Sequence, residues 1–429
     1  MRENRYFLLG LLTLIGVLNF VDRYILSILL EAIKDDLLLT DAQLGMLSGF
    51  YFAVFYALFG IPIAVVADRW HRGKIISLSL MMWSAMTLVS AFATSFIHLI
   101  VARIGVGLGE AGVAPASHSL ITERFTPRQR PLAFAVYAVG GTVGILVALW
   151  AGGWINEHYG WRTAFMAAGA PGILLAGVAW LLLHETRRPA PLSFGMLAAA
   201  EGQVGIFQGL VNLWRIPAWR HVAIASALTH VATFGIGQFM PSLFSRSFGL
   251  SSSETGFILA LVIGLGGSIG AMTGGAVAGR LAGSRGIGWM GYTLFITFTA
   301  ASMLAPLALM QSDLPMLLWF LAPYYVLSLT SSGVQFAIAQ SMVRSNMRAM
   351  SSALLILANN LIGLGLGPLI VGQISDMLEP SFGRESLRYA MMCMTPLLFW
   401  GAIHFYISGR NLKNDAIDDN EAGGAAPAH

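Results

Sequence analysis

Four ionisable residues stand inside long apolar runs of this chain. Asp22 and Arg23 lie in Asn19-Phe20-Val21-Asp22-Arg23-Tyr24, and Arg103 and Glu110 lie in ARIGVGLGEAGVAP. A charge at the middle of a bilayer costs ~2.5–3.5 kcal/mol even on the most lenient insertion scale, so such groups face protein or a water-filled cavity and take partners. Arg103 and Glu110 are two helical turns apart and share one helix face, with Cα atoms roughly 10 Å apart. Asp22 and Arg23 are neighbours, about 100° apart around a helix, and point in different directions. Two pairings are open, Asp22 with Arg103 or Arg23 with Glu110, and either locks the first helix to the fourth. The same groups can do chemistry. Burial favours a neutral carboxyl and a nearby guanidinium favours a charged one, so a carboxylate between those influences can exchange a proton. Arginine keeps its charge and grips carboxylate or phosphate oxygens with two parallel hydrogen bonds. The residues thus point to Asp22 and Glu110 for proton coupling and to Arg23 and Arg103 for an anionic substrate.

The elements that hold these groups follow from composition. The chain has 429 residues, 56% hydrophobic and 11% charged, with a mean hydropathy of +0.71. Soluble domains carry roughly 25% charged residues, so there is too little polar material here to coat a soluble globule. The 48 glycines suit closely packed membrane helices. The fold class is all-α integral membrane protein. Runs of the ~20 apolar residues that a crossing needs predict twelve transmembrane helices in two sets of six. The first set covers 6–30, 42–66, 75–95, 97–121, 131–155 and 162–183. The second covers 221–245, 254–278, 288–310, 315–341, 350–375 and 387–408. An N-terminal six-helix bundle (1–183) and a C-terminal one (220–408) are thus expected, joined by a cytoplasmic linker (184–219). The small and polar end, 409–429, reads as a disordered cytoplasmic tail.

Charge placement supports that topology. With the N-terminus in the cytoplasm, most of the 25 Lys and Arg residues fall on the cytoplasmic side. Only Lys34, Arg162, Arg246, Arg384 and Arg388 fall on the other, and Arg23 and Arg103 lie within helices. This positive-inside bias puts both termini in the cytoplasm. The opening MRENRYFLLG leads into an apolar run interrupted by Asp22-Arg23, which reads as a retained first helix, not a signal peptide. Short loops and the lack of an N-x-[ST] site suit a bacterial inner membrane. The pI near 9.3 does not indicate nucleic acid, because no basic stretch is interleaved with aromatics.

The halves echo each other. Ala64-Val65-Val66-Ala67-Asp68-Arg69 follows the second helix and Gly275-Ala276-Val277-Ala278-Gly279-Arg280 follows the eighth. Duplicated six-helix units around a central cavity are a transporter architecture. Asp68-Arg69-Trp70-His71-Arg72-Gly73-Lys74 is dense in charge, and its acid is not needed for orientation. Asp68, Arg69 and Arg72, with Arg280 in the second half, are therefore expected to form a cytoplasmic gate, asymmetric because Gly279 stands where the first half has Asp68. Gly107-Leu108-Gly109-Glu110-Ala111-Gly112 matches GxGxxG, but no strand precedes it and it lies in an apolar span. No HExxH, Walker loop, GxSxG or CxxC is present, so the chain reads as a non-enzyme without metal or cofactor. His230 and Asn359 are expected in the substrate cavity, and Gln340 is plausible polar lining. The single cysteine, Cys393, excludes a disulfide framework and reads as helix packing.

The stretch Asp68-Arg69-x-x-Arg72-Gly73-Lys74 resembles the signature loop of the major facilitator superfamily, with Ala64 at the usual leading glycine and one extra residue before Arg72-Gly73. Gly160-Trp161-Arg162-Thr163-Ala164-Phe165 resembles the start of that family's sixth helix. The resemblance covers about residues 5–408. Within the superfamily, NFVDRYILSILLEAIKDDL and ARIGVGLGEAGVAPASHSLITERF look most like spinster-type lipid transporters. That resemblance implies Asp22 in proton coupling, with Arg23, Arg103 and Glu110 around a central site. It also implies a lysolipid or sphingosine-phosphate-like cargo, its anionic head near the arginines and its tail along apolar faces. The organic anion–cation symporters carry a similar charged set, and likeness to them implies a small sugar acid or carboxylate taken up with protons.

The expected protein is a monomeric proton-coupled transporter working by alternating access. Its partners are protons, membrane lipids, and an anionic lipid or small organic anion. A non-transporting membrane receptor is a reading of another class, and buried acid–arginine clusters argue against it.

Overall fold

Apolar runs of span length fold as helices because hydrocarbon offers their backbone N–H and C=O groups no partner outside the segment. The computed structural model describes residues 5–69, 71–126, 128–183, 206–344 and 347–415; nearly all of these are helical and none is in a strand. In chain order the α-helices are α1 (Arg5–Leu37), α2 (Asp41–Gly45), α3 (Tyr51–Arg69), α4 (Arg72–Ser90), α5 (Phe96–Glu110), α6 (Val113–Arg124), α7 (Arg130–Leu182), α8 (Ile206–Trp214) and α9 (Pro217–Phe248). They continue as α10 (Ser252–Leu259), α11 (Gly266–Arg285), α12 (Trp289–Leu309), α13 (Leu314–Ser328), α14 (Ser331–Ser341), α15 (Arg348–Ala358), α16 (Gly365–Phe382), α17 (Ser386–Met392) and α18 (Thr395–Asp415).

Nine stretches among the described residues are long and apolar enough to cross a membrane. Two exceed one crossing: Leu132–Leu182 has 51 residues and Met350–Asp415 has 66, against the ~20 a single span needs. The first bends at Gly160, whose φ of 82° and ψ of 163° are open to glycine and strained for other residues. In the expected linker, 184–205 lie outside the described residues while Ile206–Trp214 form α8. In the expected tail, 409–415 continue α18 and 416–429 lie outside the described residues.

Several expected helices are interrupted. The run 97–121 divides at Ala111 and Gly112 into α5 and α6. Pro115 explains the break, because a proline has no backbone N–H to offer the carbonyl four residues back. Three other runs carry π-helical turns, Met46–Phe50, Ala260–Leu265 and Asn359–Leu364, each holding a glycine. Such turns add a residue to the helix and shift the face that follows.

Two compact units emerge. The first comprises Met1–Gln203, Gln238–Gly264 and Pro368–Leu387, and the second comprises Val204–Gly237, Leu265–Gly367 and Arg388–His429. In the first, close backbone approaches set the helix spacing. A Cβ added at Gly109 of α5 would lie 2.7 Å from the Trp83 nitrogen of α4, and one at Gly107 would lie 2.9 Å from the Phe52 carbonyl oxygen of α3. These glycines bring α5, which carries Arg103 and Glu110, hard against its neighbours. The GxGxxG pattern is thus a packing seam.

Candidate functional site

In the first unit, α1 and α5 carry the four charged residues read from the sequence, and both cross-pairings form together. Arg23 Nε donates to Glu110 Oε2 at 2.6 Å, and Arg103 Nη1 approaches Asp22 Oδ2 at 3.4 Å. Asp22, Arg103 and Glu110 are all buried, at 3%, 5% and 2% exposure. With both acids ionised, two cations and two acids make the cluster neutral, which offsets much of the cost of taking charges out of water.

Neighbouring helices complete the shell. Thr87 on α4 donates its hydroxyl to Asp22 Oδ1, and Thr87 Oγ1 also lies 2.9 Å from the Trp83 carbonyl oxygen. A hydroxyl has one proton, so Thr87 serves one acceptor at a time. That arrangement tolerates Asp22 in either protonation state: a neutral carboxyl donates to Thr87, which then turns to Trp83. The Arg23 guanidinium is ringed by aromatic faces, with its Cζ 5.9 Å from the Phe20 centroid, 5.1 Å from Phe52 and 5.3 Å from Tyr56. A guanidinium in this position is attracted by the ring faces, and partly exposed contacts of this kind contribute on the order of 1 kcal/mol. Beside this pair opens a cavity of ≈ 410 Å³ whose walls include Asn19, Phe20, His118, Phe134 and Tyr137. It is mostly apolar.

The remaining residues read from the sequence fall elsewhere. His230 on α9 and Asn359, which opens a π turn, belong to the second unit. His230 Nδ1 lies 2.8 Å from the Ser226 carbonyl, and Gly363 packs on its Cβ. Asn359 is buried, and its Oδ1 has no partner among the described residues. Of the gate residues, Asp68 and Arg69 end α3, but their side chains lie outside the described set. Arg72 pairs with Glu123 at 2.8 Å, joining α4 to α6, and Arg280 is exposed near the end of α11.

A second charged cluster sits at the other end of α1. Asp41, at 2% exposure, accepts from Lys34 Nζ at 2.7 Å, from both terminal nitrogens of Arg246 at 2.7 Å, and from Ser375 Oγ at 2.6 Å. Arg246 Nε also donates to Glu31 at 2.8 Å. Sequence reasoning did not single out Asp41. A signal existed: Lys34, Arg162, Arg246 and Arg388 are among the cations that the expected topology sets against the positive-inside bias, and each of these four has a buried or backbone acceptor. Arg162 binds Asp36 and the Ala93 carbonyl, and Arg388 binds the carbonyls of Leu309 and Gln311. A cation on the disfavoured side is a candidate for a structural role.

Long apolar helices around a neutral cluster of buried charges define a polytopic membrane carrier. The Major Facilitator Superfamily model matches residues 12–408, and the chain belongs to that superfamily of transporters. It is 32% identical over 413 residues to an MFS-type efflux pump of Mycolicibacterium smegmatis, covering 96% of this chain and 94% of that protein. It is 28% identical over 301 residues to a probable galactarate/D-glucarate transporter of Bacillus subtilis, covering 64% of each. Among solved structures it is similar to a bacterial homolog of the human lysosomal transporter Spinster in an inward-facing, unoccupied conformation. That match has a TM-score of 0.83 at 28% identity, covering 97% of this chain and 99% of the other.

Proposed function

We propose that this chain is a proton-coupled secondary transporter that moves an anionic amphiphile, such as a lysolipid or sphingoid phosphate, by alternating access. The observation that carries the reading is the double ion pair of α1 and α5 beside an apolar cavity. An anionic head competes with Glu110 for Arg23, or with Asp22 for Arg103, while an apolar tail lies along the cavity. An acid displaced from its arginine loses the partner that favoured its charge and takes a proton. Protonation of Asp22, assisted by Glu110, thereby changes which pairs hold α1 to α5, and the substrate biases the same equilibrium. His230 and Asn359 are the polar substrate-contact residues that this reading assigns to the second unit.

The frame for this mechanism is twelve crossings in two bundles, 1–183 and 220–408, in a monomer in a bacterial inner membrane with both termini cytoplasmic. Asp68, Arg69, Arg72 and Arg280 gate the cytoplasmic side. The cluster at Asp41 then lies on the external side, where 238–264 and 368–387 of the second bundle pack with the first. The likeness to the Spinster homolog supports an amphiphilic cargo. A second reading, symport of a small sugar acid, is favoured by relatives such as the galactarate/D-glucarate transporter.

Ligand-induced thermal stabilisation of the purified protein tests the two. Stabilisation by a phosphate-headed lysolipid or sphingoid phosphate, lost in Arg103→Ala, is the expected result. Stabilisation by sugar acids alone would replace the amphiphile with a small carboxylate at the same four residues.

A further inference from the structure

The cluster at Asp41 is half of a motif that the chain uses twice. Two helices open with the same sequence logic, Thr40-Asp41-Ala42-Gln43-Leu44-Gly45 at α2 and Ser251-Ser252-Ser253-Glu254-Thr255-Gly256 at α10. Each begins with a capping box, Thr40 with Gln43 and Ser251 with Glu254. Each also has a glycine five residues after its cap. A Cβ on either would strike backbone: Gly45 abuts Pro368 and Leu369, and Gly256 abuts Leu149.

The helices they abut carry a second repeated motif. Gly153-Trp154-Ile155-Asn156-Glu157 lies in α7, and Gly372-Gln373-Ile374-Ser375-Asp376 lies in α16. Its glycine and its two polar positions do the same three things in each copy. Gly372 packs on the Asp41 carbonyl, as Gly153 packs on the Ser252 carbonyl. Ser375 Oγ binds the Asp41 side chain at 2.6 Å, as Asn156 Nδ2 binds the Ser252 hydroxyl at 2.8 Å. Asp376 accepts from the backbone N–H groups of Asp41 and Ala42 at 2.8 and 2.9 Å, as Glu157 accepts from that of Ser253 at 2.9 Å. A carboxylate thus sits on a helix N-terminus in both, where free N–H groups and the helix dipole favour it. All ten residues named in these contacts belong to the first unit.

We propose that these are twin clamps that close the external face and must release together when the transporter opens to that side. The inference rests on the alternating-access reading. Closure depends on two features in each clamp: the carboxylate on the helix start, and glycines that let the backbones touch. The copies differ in one way. Asp41 adds ion pairs to Arg246 and Lys34, where its counterpart Ser252 is uncharged. Those pairs run to α9 and α1, so they add to the closed state beside the α2–α16 contact, while the two clamps open as one.

Cysteine accessibility in proteoliposomes tests this, because Cys393 is the only cysteine and Cys393→Ala gives a clean background. Reporters Ser48→Cys and Ala260→Cys stand at buried positions just past the two capped helix starts. The probe is a membrane-impermeant maleimide applied from the external side. Asp376→Asn and Glu157→Gln should each raise labelling at both reporters by about tenfold, the shift in open population expected for losing one charge-assisted hydrogen bond. Gly372→Ala and Gly256→Ala touch no charge and should shift labelling the same way by forcing the backbones apart. Thermal unfolding checks that each variant is folded. Labelling that rises only at the reporter beside the altered clamp means independent fraying and overturns the proposal, as does labelling unchanged in every folded variant. If labelling of the protein without clamp substitutions never responds to a substrate or a pH gradient, the alternating-access reading fails instead.

Discussion

Arg246 and Asp41, 205 positions apart in the chain, meet in a fork-to-fork ion pair, each terminal nitrogen of the guanidinium on its own carboxylate oxygen at 2.7 Å. Their side chains are 8% and 3% exposed, so water screens the pair little. Planar groups in this register gain both charge and direction, which a lysine in place of Arg246 would not match. The pair holds the end of α9 to the start of α2.

Arg246→Ala should therefore strand the Asp41 and Glu31 carboxylates. Removing one partner of a buried pair costs about 3–5 kcal/mol, and the thermal unfolding temperature in detergent should fall accordingly. Arg246→Lys should recover part of the loss. An unfolding temperature equal to that of the unaltered protein in Arg246→Ala would mean that Lys34 and Ser375 satisfy Asp41 alone.

Asp22→Asn keeps the side-chain shape but removes a proton-exchanging group and the charge facing Arg103. Uphill accumulation driven by a pH gradient should disappear, while exchange down a substrate gradient should persist. Uptake against the gradient at the unaltered rate would move the coupling role away from Asp22.

Thr87→Val replaces the hydroxyl that bridges Asp22 and the Trp83 carbonyl with a methyl of similar size. Leaving a buried acceptor without its donor costs about 1–3 kcal/mol. Transport should slow by roughly tenfold, and Thr87→Ser should restore it. A full rate in the valine variant would show that the hydroxyl only fills space.

Gly109→Ala should push α5 off α4, because the new methyl would lie 2.7 Å from the Trp83 nitrogen. Overpacking of this kind costs about 1–3 kcal/mol, and it moves Arg103 and Glu110 with the helix. Ligand-induced stabilisation should be lost before the fold is. Gly177→Ala, whose Cβ would meet nothing within 4 Å, serves as the matched control and should leave both stability and ligand response intact.

Much of the site is legible in the sequence. Asp22, Arg23, Arg103 and Glu110 are conspicuous because a charge in an apolar run is expensive wherever the run is placed. Asp41 is not conspicuous, because it opens a helix after a threonine, where an acid is ordinary N-terminal chemistry. Thr87 and the aromatic ring around Arg23 carry no signal either, since a threonine or phenylalanine in a membrane helix is common. The broken fourth run is a partial case. Pro115 marks a weakness in the helix, but an apolar count reads straight through it.

Helix formation, membrane residence and the cost of a buried charge are local properties, determined by the residues of one segment and the solvent around it. Those the sequence settles by itself, together with the shared face of Arg103 and Glu110, which follows from helical period alone. Partner choice is not local. Asp22 and Arg23 diverge around α1, so which acid meets which base depends on where α5 stands, and α5 stands where Gly107 and Gly109 allow it against α3 and α4. Likewise, Asp41 finds Arg246 and Ser375 only because α9 and α16 end beside α2. Those distances are decided by packing among residues tens to hundreds of positions apart, and only the tertiary structure contains them.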